Sequence, residues 1–206
     1  MIQHNHTRAE ADRVLELWFG ETTDGVCSAA TRRRWFAADP EFDREIGHRF
    51  KPLLEGAAAG LLTPWLDDAR GSLAFIIVTD QFSRQIHRGL PQAFATDALA
   101  RAAARGGIER GQDRGLSIDE RSFFYLPFEH SESRDDQHTS VALFTALLDE
   151  TPTEHRVVML DSLRHARGHR DIVLQFGRFP HRNECLGRTS TEAEIEFLRN
   201  ASRFGQ

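Results

Sequence analysis

Residues 73–89 read LAFIIVTDQFSRQIHRG, an apolar run from Leu73 to Val78 followed by a strongly polar tail. A run of that length suits a buried strand as well as a buried helix, so its flanks have to decide. It passes without glycine or proline into Gln85, and no other stretch alternates apolar and polar residues between hairpin turns to give a strand its partner. The stretch therefore predicts a central helix, and with it an all-α protein built from antiparallel helix pairs. On such a helix Asp80, Arg84, His87 and Arg88 fall on one face. An exposed Asp80–Arg84 pair would contribute only ~0.3–0.5 kcal/mol. An element this apolar belongs at the centre of a fold, however, where a charge must be paired or used.

Towards the N-terminus, Thr7 to Glu10 is a capping-box pattern opening a helix over about 8–19, with Val14, Leu15, Trp18 and Phe19 at helical spacing and Gly20 as its stop. A polar stretch with Thr22, Asp24 and Gly25 leads to a short helical piece carrying Trp35 and Phe36. Asp39-Pro40 then reads as N-cap and first-turn proline of a helix reaching about Ala59, with Phe42, Ile46, Phe50, Leu53, Leu54 and Ala57 on its apolar face.

Towards the C-terminus, Pro91 opens a helix from Gln92 to about Arg105, ended by Gly106-Gly107. Ser117 to Glu120 is a second capping box, starting a helix that carries Phe123, Phe124, Tyr125 and Leu126 and closes at Pro127. A helix after Ser133 buries Gln137, Val141, Phe144 and Leu148. The longest helix spans about Thr153 to Phe176, and Thr191 to Glu194 caps the last one. Between these two lies FGRFPHRNECLGR at 176–188, in which Gly177 and Pro180 predict a fixed, non-helical turn presenting Arg178, His181, Arg182 and Asn183.

At 206 residues and a net charge of -5 the chain predicts one domain over 1–206, without the basic field that drives nucleic-acid binding. Cys27 and Cys185 are too few for a disulfide framework or a cysteine-rich zinc site. The N-terminus lacks the apolar segment of a signal peptide, and Leu73 to Val78 is far short of the ~20 residues that span a bilayer. A soluble cytoplasmic protein that neither binds nucleic acid nor enters a membrane is expected.

The blocks DQFSR at 80–84, AFATD at 93–97, YLPFEHSE at 125–132 and FGRFPHRNECLGR at 176–188, together with LELWFG at 15–20, resemble a largely bacterial family called domain of unknown function 924. The resemblance runs over nearly the whole chain, with Ser83 and Gln85 where the family usually shows proline and asparagine. It implies a tetratricopeptide-like α-α superhelix and brings no established reaction.

Function therefore has to be read from the residues. His165 and His169 have the i, i+4 spacing of metal ligands, but the glutamate of H-E-x-x-H is missing, so no metal or other cofactor is expected. There is no G-x-S-x-G elbow and no phosphate-binding glycine loop. What remains is a composite polar site, with His130, Glu132 and His181 as proton-moving groups and Asp80, Arg84, Arg178, Arg182 and Asn183 as binding groups. Arginines clamp a carboxylate or phosphate, and a histidine beside a carboxylate moves a proton near neutral pH. The expected ligand is an anionic small molecule or a peptide carboxylate. The competing expectations are that the same residues lock helix ends together, or that the chain is a helical-repeat module binding a peptide in its groove.

Overall fold

The computed structural model describes residues 2–200, with side chains described for 8–199. Helix α1 (Ile2–Phe19) leads through a small hairpin, β1 (Thr22–Thr23) and β2 (Val26–Cys27), to α2 (Ala29–Phe36) and α3 (Pro40–Ala58). A central element follows, made of α4 (Ala69–Ile76), a π-helical segment (Ile77–Phe82) and α5 (Ser83–Ile86). The chain then forms α6 (Asp97–Glu109), α7 (Ile118–Glu129), α8 (Arg134–Glu150), α9 (Arg156–Phe176) and α10 (Glu192–Asn200). The protein is all-α apart from the hairpin. Asp24-Gly25 makes that hairpin possible, because both residues take positive φ, 52° and 78°, as a tight two-residue turn requires.

The core forms around Trp18 of α1, which is completely buried. Trp35 of α2 stacks at 6.3 Å between ring centres, Phe42 of α3 at 6.3 Å, and Phe82 and Phe123 meet its edges at 5.6 and 5.4 Å. One ring thus ties together α1, α2, α3, the central element and α7, each aromatic pair adding ~0.5–1.5 kcal/mol beyond its buried area. Trp35 Nε1 donates to Trp18 O at 2.7 Å, so this indole is buried without losing its hydrogen bond.

The expected central helix is the most buried element of the fold, with every residue from Gly71 to Ser83 inside. Asp68 caps it by accepting from the Arg70 and Gly71 amides, both at 3.0 Å. The widened π segment was not legible in its periodicity. Its carbonyls take side-chain donors: Thr96 Oγ1 donates to Thr79 O at 2.5 Å and Arg84 Nη1 to Asp80 O at 2.6 Å. Ser83 donates to Gln92 O at 3.2 Å and Ala93 O at 3.1 Å, tying the central element to the next turn.

Five expected boundaries are corrected. Helix α1 starts at Ile2, so Thr7 lies within it rather than at its cap, and the Thr7 side chain is outside those described. The helix placed at 92–105 divides into a 3₁₀ turn at Pro91–Phe94 and α6. It also continues past Gly106-Gly107 to Glu109, and Gly107 faces the Phe124 ring, where an added Cβ would come within 2.5 Å. Helix α7 does not close at Pro127 but runs to Glu129, the proline lying in its last turn. The longest helix begins as a 3₁₀ turn at Thr153–His155 and becomes α-helical at Arg156. The capping boxes at Ser117–Glu120 and Thr191–Glu194 and the Asp39 cap form as expected.

Two glycines make opposite demands on packing. A Cβ at buried Gly71 would stand 2.1 Å from Trp65 O, a backbone atom that cannot swing away. Gly168, inside α9, has open space around it. Gly71→Ala is expected to destabilise the protein by ~1–3 kcal/mol through overpacking, and Gly168→Ala to stabilise it by ~0.5–1 kcal/mol through helix propensity. Urea midpoints of the two variants measure both effects.

Candidate functional site

The site is built around Asp80, whose side chain is 1 % exposed. Arg84, one turn on, places Nη1 2.9 Å from Asp80 Oδ1 and reaches Asp97 at the start of α6 with both terminal nitrogens, at 3.0 and 3.1 Å. His130, just past the end of α7, holds Nδ1 at 2.9 and 3.0 Å from the two Asp80 oxygens, and Gln81 Nε2 donates to Asp80 Oδ2 at 2.5 Å. Because the carboxylate accepts from Nδ1–H, the lone pair of His130 is on Nε2.

His130 is held in place by the loop that follows α7. Gln137 Nε2 donates to Glu129 O at 2.6 Å and Ser131 O at 2.7 Å, while Ser131 Oγ donates to Asp136 at 2.7 Å. Arg182, from the Pro180–Arg182 turn, donates through Nη1 to His130 O at 3.0 Å and stands 3.7 Å from Asp97. Its guanidinium lies over the faces of both Phe94 and Phe179, 4.6 and 4.5 Å from the ring centres. Arg84 lies 5.7 Å from the same Phe94 ring. Arg84 Nε and Arg182 Nε are buried without a hydrogen-bond partner among the described residues.

Two further residues complete the cluster. His169 of α9 places Nδ1 3.0 Å from Glu129 Oε1, and its ring centre is 6.4 Å from that of His130. Arg84, Glu129, His130, His169, His181 and Arg182 all line one groove of about 1340 Å³, which continues past the polar cluster to Phe36 and Val158.

Electrostatics separate the titratable groups. Burial opposes ionisation of Asp80, yet Arg84, followed by His130, holds its carboxyl well below the usual carboxylate range. Burial pushes His130 down, Asp80 opposing and Arg84 reinforcing, which keeps the imidazole neutral. His169 moves the other way, because Glu129 outweighs its burial. Burial, then the neighbouring Arg182, pushes His181 down to about 3. Burial and the proximity of Arg84 bring Arg182 down to about 10, a sign that its cation is under-compensated where it sits.

Of the sequence-predicted residues, Asp80, Arg84, His130, His181 and Arg182 meet at or beside the groove. Glu132, Arg178 and Asn183 are engaged in fastening the C-terminal segment. Glu132 accepts from the Phe179 amide at 2.8 Å and pairs with both ends of Arg188 at 2.7 and 2.9 Å. Arg178 clamps Glu194 at 2.6 and 2.8 Å, and Asn183 bonds Ser190 at 3.0 Å and Arg188 at 2.9 Å. His165 is half exposed and 3.6 Å from Asp161, whereas His169 is buried against Glu129. Phe94, Asp97 and Glu129 were not anticipated. Phe94 and Asp97 fall in the AFATD block and Glu129 in YLPFEHSE, but beside a helix start or an aromatic run nothing in their spacing marks them as site residues.

Residues 14–202 match the model of a family described as "Bacterial protein of unknown function (DUF924)". Among solved structures, the fold is similar to that of a protein of unknown function from Agrobacterium tumefaciens, with a TM-score of 0.81 and 37% identity over 95% of this chain and 99% of that one. No curated protein matches the chain. Among the described residues no helix is long and apolar enough to cross a membrane.

The shift at His181 carries a sign. Its folded pKa lies below the ~6.5 of an unfolded histidine, so the unfolded chain binds the proton first. The associated stability is intact above that value and is lost as the pH falls towards 3. His130 acts in the same direction, whereas His169, raised, favours the folded state at low pH and loses that contribution as the pH rises. His181→Gln is expected to make the fall of the urea midpoint between about pH 6.5 and 3 shallower than in the parent protein. An unchanged acid limb would show that the imidazole is not the group resisting protonation.

Proposed function

Since the chain belongs to the DUF924 family, a membership that assigns no reaction, we propose its function from the site itself: it binds an anionic small molecule, or a peptide carboxylate, against Arg182 and Arg84. The observation that carries this proposal is the state of Arg182. A guanidinium has five donors in a fixed fork, yet here it gives one bond to a backbone carbonyl, stands 3.7 Å from its nearest carboxylate, and leaves Nε without an acceptor. The two phenyl faces hold the planar cation flat. A carboxylate or phosphate supplies the acceptors this cation lacks.

The neighbouring pair adds a chemical capacity. Asp80 orients His130 and leaves Nε2 as a base, an arrangement that serves acid–base chemistry on a bound anion. Glu129 and His169 make a second histidine–carboxylate pair beside it, with its proton affinity shifted in the opposite sense. His130 is the group we assign to proton transfer. His181, neutral and beside Arg182, lines the space the ligand would fill.

A thermal-shift panel of small carboxylates and phosphates tests the binding. A ligand present at 100 times its dissociation constant stabilises the fold by ~2.7 kcal/mol. Arg182→Met is expected to abolish the ligand-induced shift while changing the stability of the free protein by no more than ~1 kcal/mol, the contribution of one hydrogen bond to a carbonyl. Two results contradict the proposal: a panel in which no anion shifts the melting temperature, and a loss of ~3–5 kcal/mol in unliganded Arg182→Met, the signature of a broken buried ion pair.

A further inference from the structure

The groove is larger than its polar end requires. Ligand sites for small molecules occupy ~300–1000 Å³, whereas this groove encloses about 1340 Å³ and continues from Arg182 and His130 to Phe36, Leu126, Val158 and Met159. Both ends are carried by the same two helices. At the polar end Glu129 of α7 meets His169 of α9 at 3.0 Å, and at the apolar end Ser122 of α7 donates to Met159 Sδ of α9 at 3.6 Å. At 1.5 Å of rise per residue these two contacts are ~10 Å apart along α7 and ~15 Å along α9. The groove therefore runs along the α7–α9 seam from a charged head to a stretch lined by Leu126, Val158, Met159 and Phe36, with Arg33 and Asp161 also among its walls. Its far rim is open: Phe36, stacked on Phe123 at 6.4 Å, is 68 % exposed.

The charge at the head limits what it can hold. Arg84 is already balanced by Asp80 and Asp97, and Glu129, Asp161 and Glu184 add carboxylates along the walls. Arg182 at the head has no carboxylate within hydrogen-bond distance among the described residues and leaves Nε without an acceptor, so a single carboxylate is the charge this position is matched to. We propose that the ligand is a single-tailed amphiphilic carboxylate, its head group at Arg182 and its alkyl or aryl tail laid along the α7–α9 seam towards Leu126, Val158 and Phe36. This assignment rests on the anion-binding function proposed above and adds the tail.

Calorimetric titration of the full chain with butanoate, hexanoate, octanoate and decanoate, kept below micellar concentrations, tests it without any substitution. Affinity is expected to rise about three- to fourfold per added methylene, the factor corresponding to ~0.8 kcal/mol of burial. Octan-1-ol is expected to bind at least tenfold more weakly than octanoate. Phe36→Ser, at an exposed position, should weaken decanoate several-fold and leave butanoate unchanged, and Arg182→Met should weaken octanoate without affecting octanol. Affinity independent of chain length would overturn the amphiphile assignment and leave anion binding standing. Equal binding of octanol and octanoate would overturn both, and no binding by any of the acids would overturn the amphiphile assignment. Dihexanoyl phosphatidic acid binding as tightly as octanoate or tighter would overturn the single-tailed monoanion.

Discussion

A carboxylate at the centre of a protein is stable only if its neighbours supply what water no longer does. Asp80 is that carboxylate, 1 % exposed in the most buried element of the chain. Its demand for partners brings together segments far apart in sequence: Arg84 from its own element, His130 from the end of α7 and, through the second half of Arg84's fork, Asp97 at the start of α6. Arg182 joins by donating to His130 O, a carbonyl at the end of α7. The π segment has a part in this. Within it Arg84 Nη1 reaches both the Asp80 carboxylate and the Asp80 carbonyl, at 2.9 and 2.6 Å.

The same cluster serves structure and the proposed binding in different residues. Around Glu132, Arg178, Asn183 and Arg188 the donors and acceptors are matched to one another and to the backbone of the turn, as expected of a lock between the last two helices and the body of the fold. Arg182 differs from these arginines. It is more deeply buried than Arg178 or Arg188, it alone lies over two aromatic faces, and its cation is disfavoured where theirs are satisfied by bidentate carboxylates. Those pairs are matched in two-bond geometry, whereas the Arg182 cation stands 3.7 Å from its nearest carboxylate.

How much of this was legible in the sequence follows from the range of each interaction. The helices at Asp39-Pro40, Ser117 and Thr191 declare themselves through caps made within a turn, and the apolar run at 73–78 reads as a central helix through its unbroken flank into Gln85 and the absence of any strand partner in the sequence. The boundaries that misled are those decided at a distance. Gly107 lies inside a helix at a point where the Phe124 ring leaves no room for a Cβ, and Pro127 does not end one, the helix running two residues beyond it to Glu129. The site behaves likewise. Arg84, His130 and Arg182 were recognisable as polar groups set among apolar ones, but Asp97 and Glu129 acquire their place only when α6 and α7 are packed, and Glu132 is drawn to Arg188 and the Phe179 amide rather than to its near neighbour His130. The superhelix implied by family resemblance is a statement about long-range curvature, which no local pattern carries.

The function proposed for this site is that the Arg182 guanidinium binds an anion. The most direct measurement is the ¹⁵N–¹H spectrum of arginine side chains, with the Arg182 resonance assigned by its loss in Arg182→Met, recorded while octanoate is added. The account predicts that the Arg182 Nε–H signal moves downfield and saturates with octanoate, as a donor with no partner acquires one, while Arg178 and Arg188, already bound to Glu194 and Glu132, stay where they are. An Arg182 signal that does not respond, or a uniform drift of all the arginines with ionic strength, would contradict it.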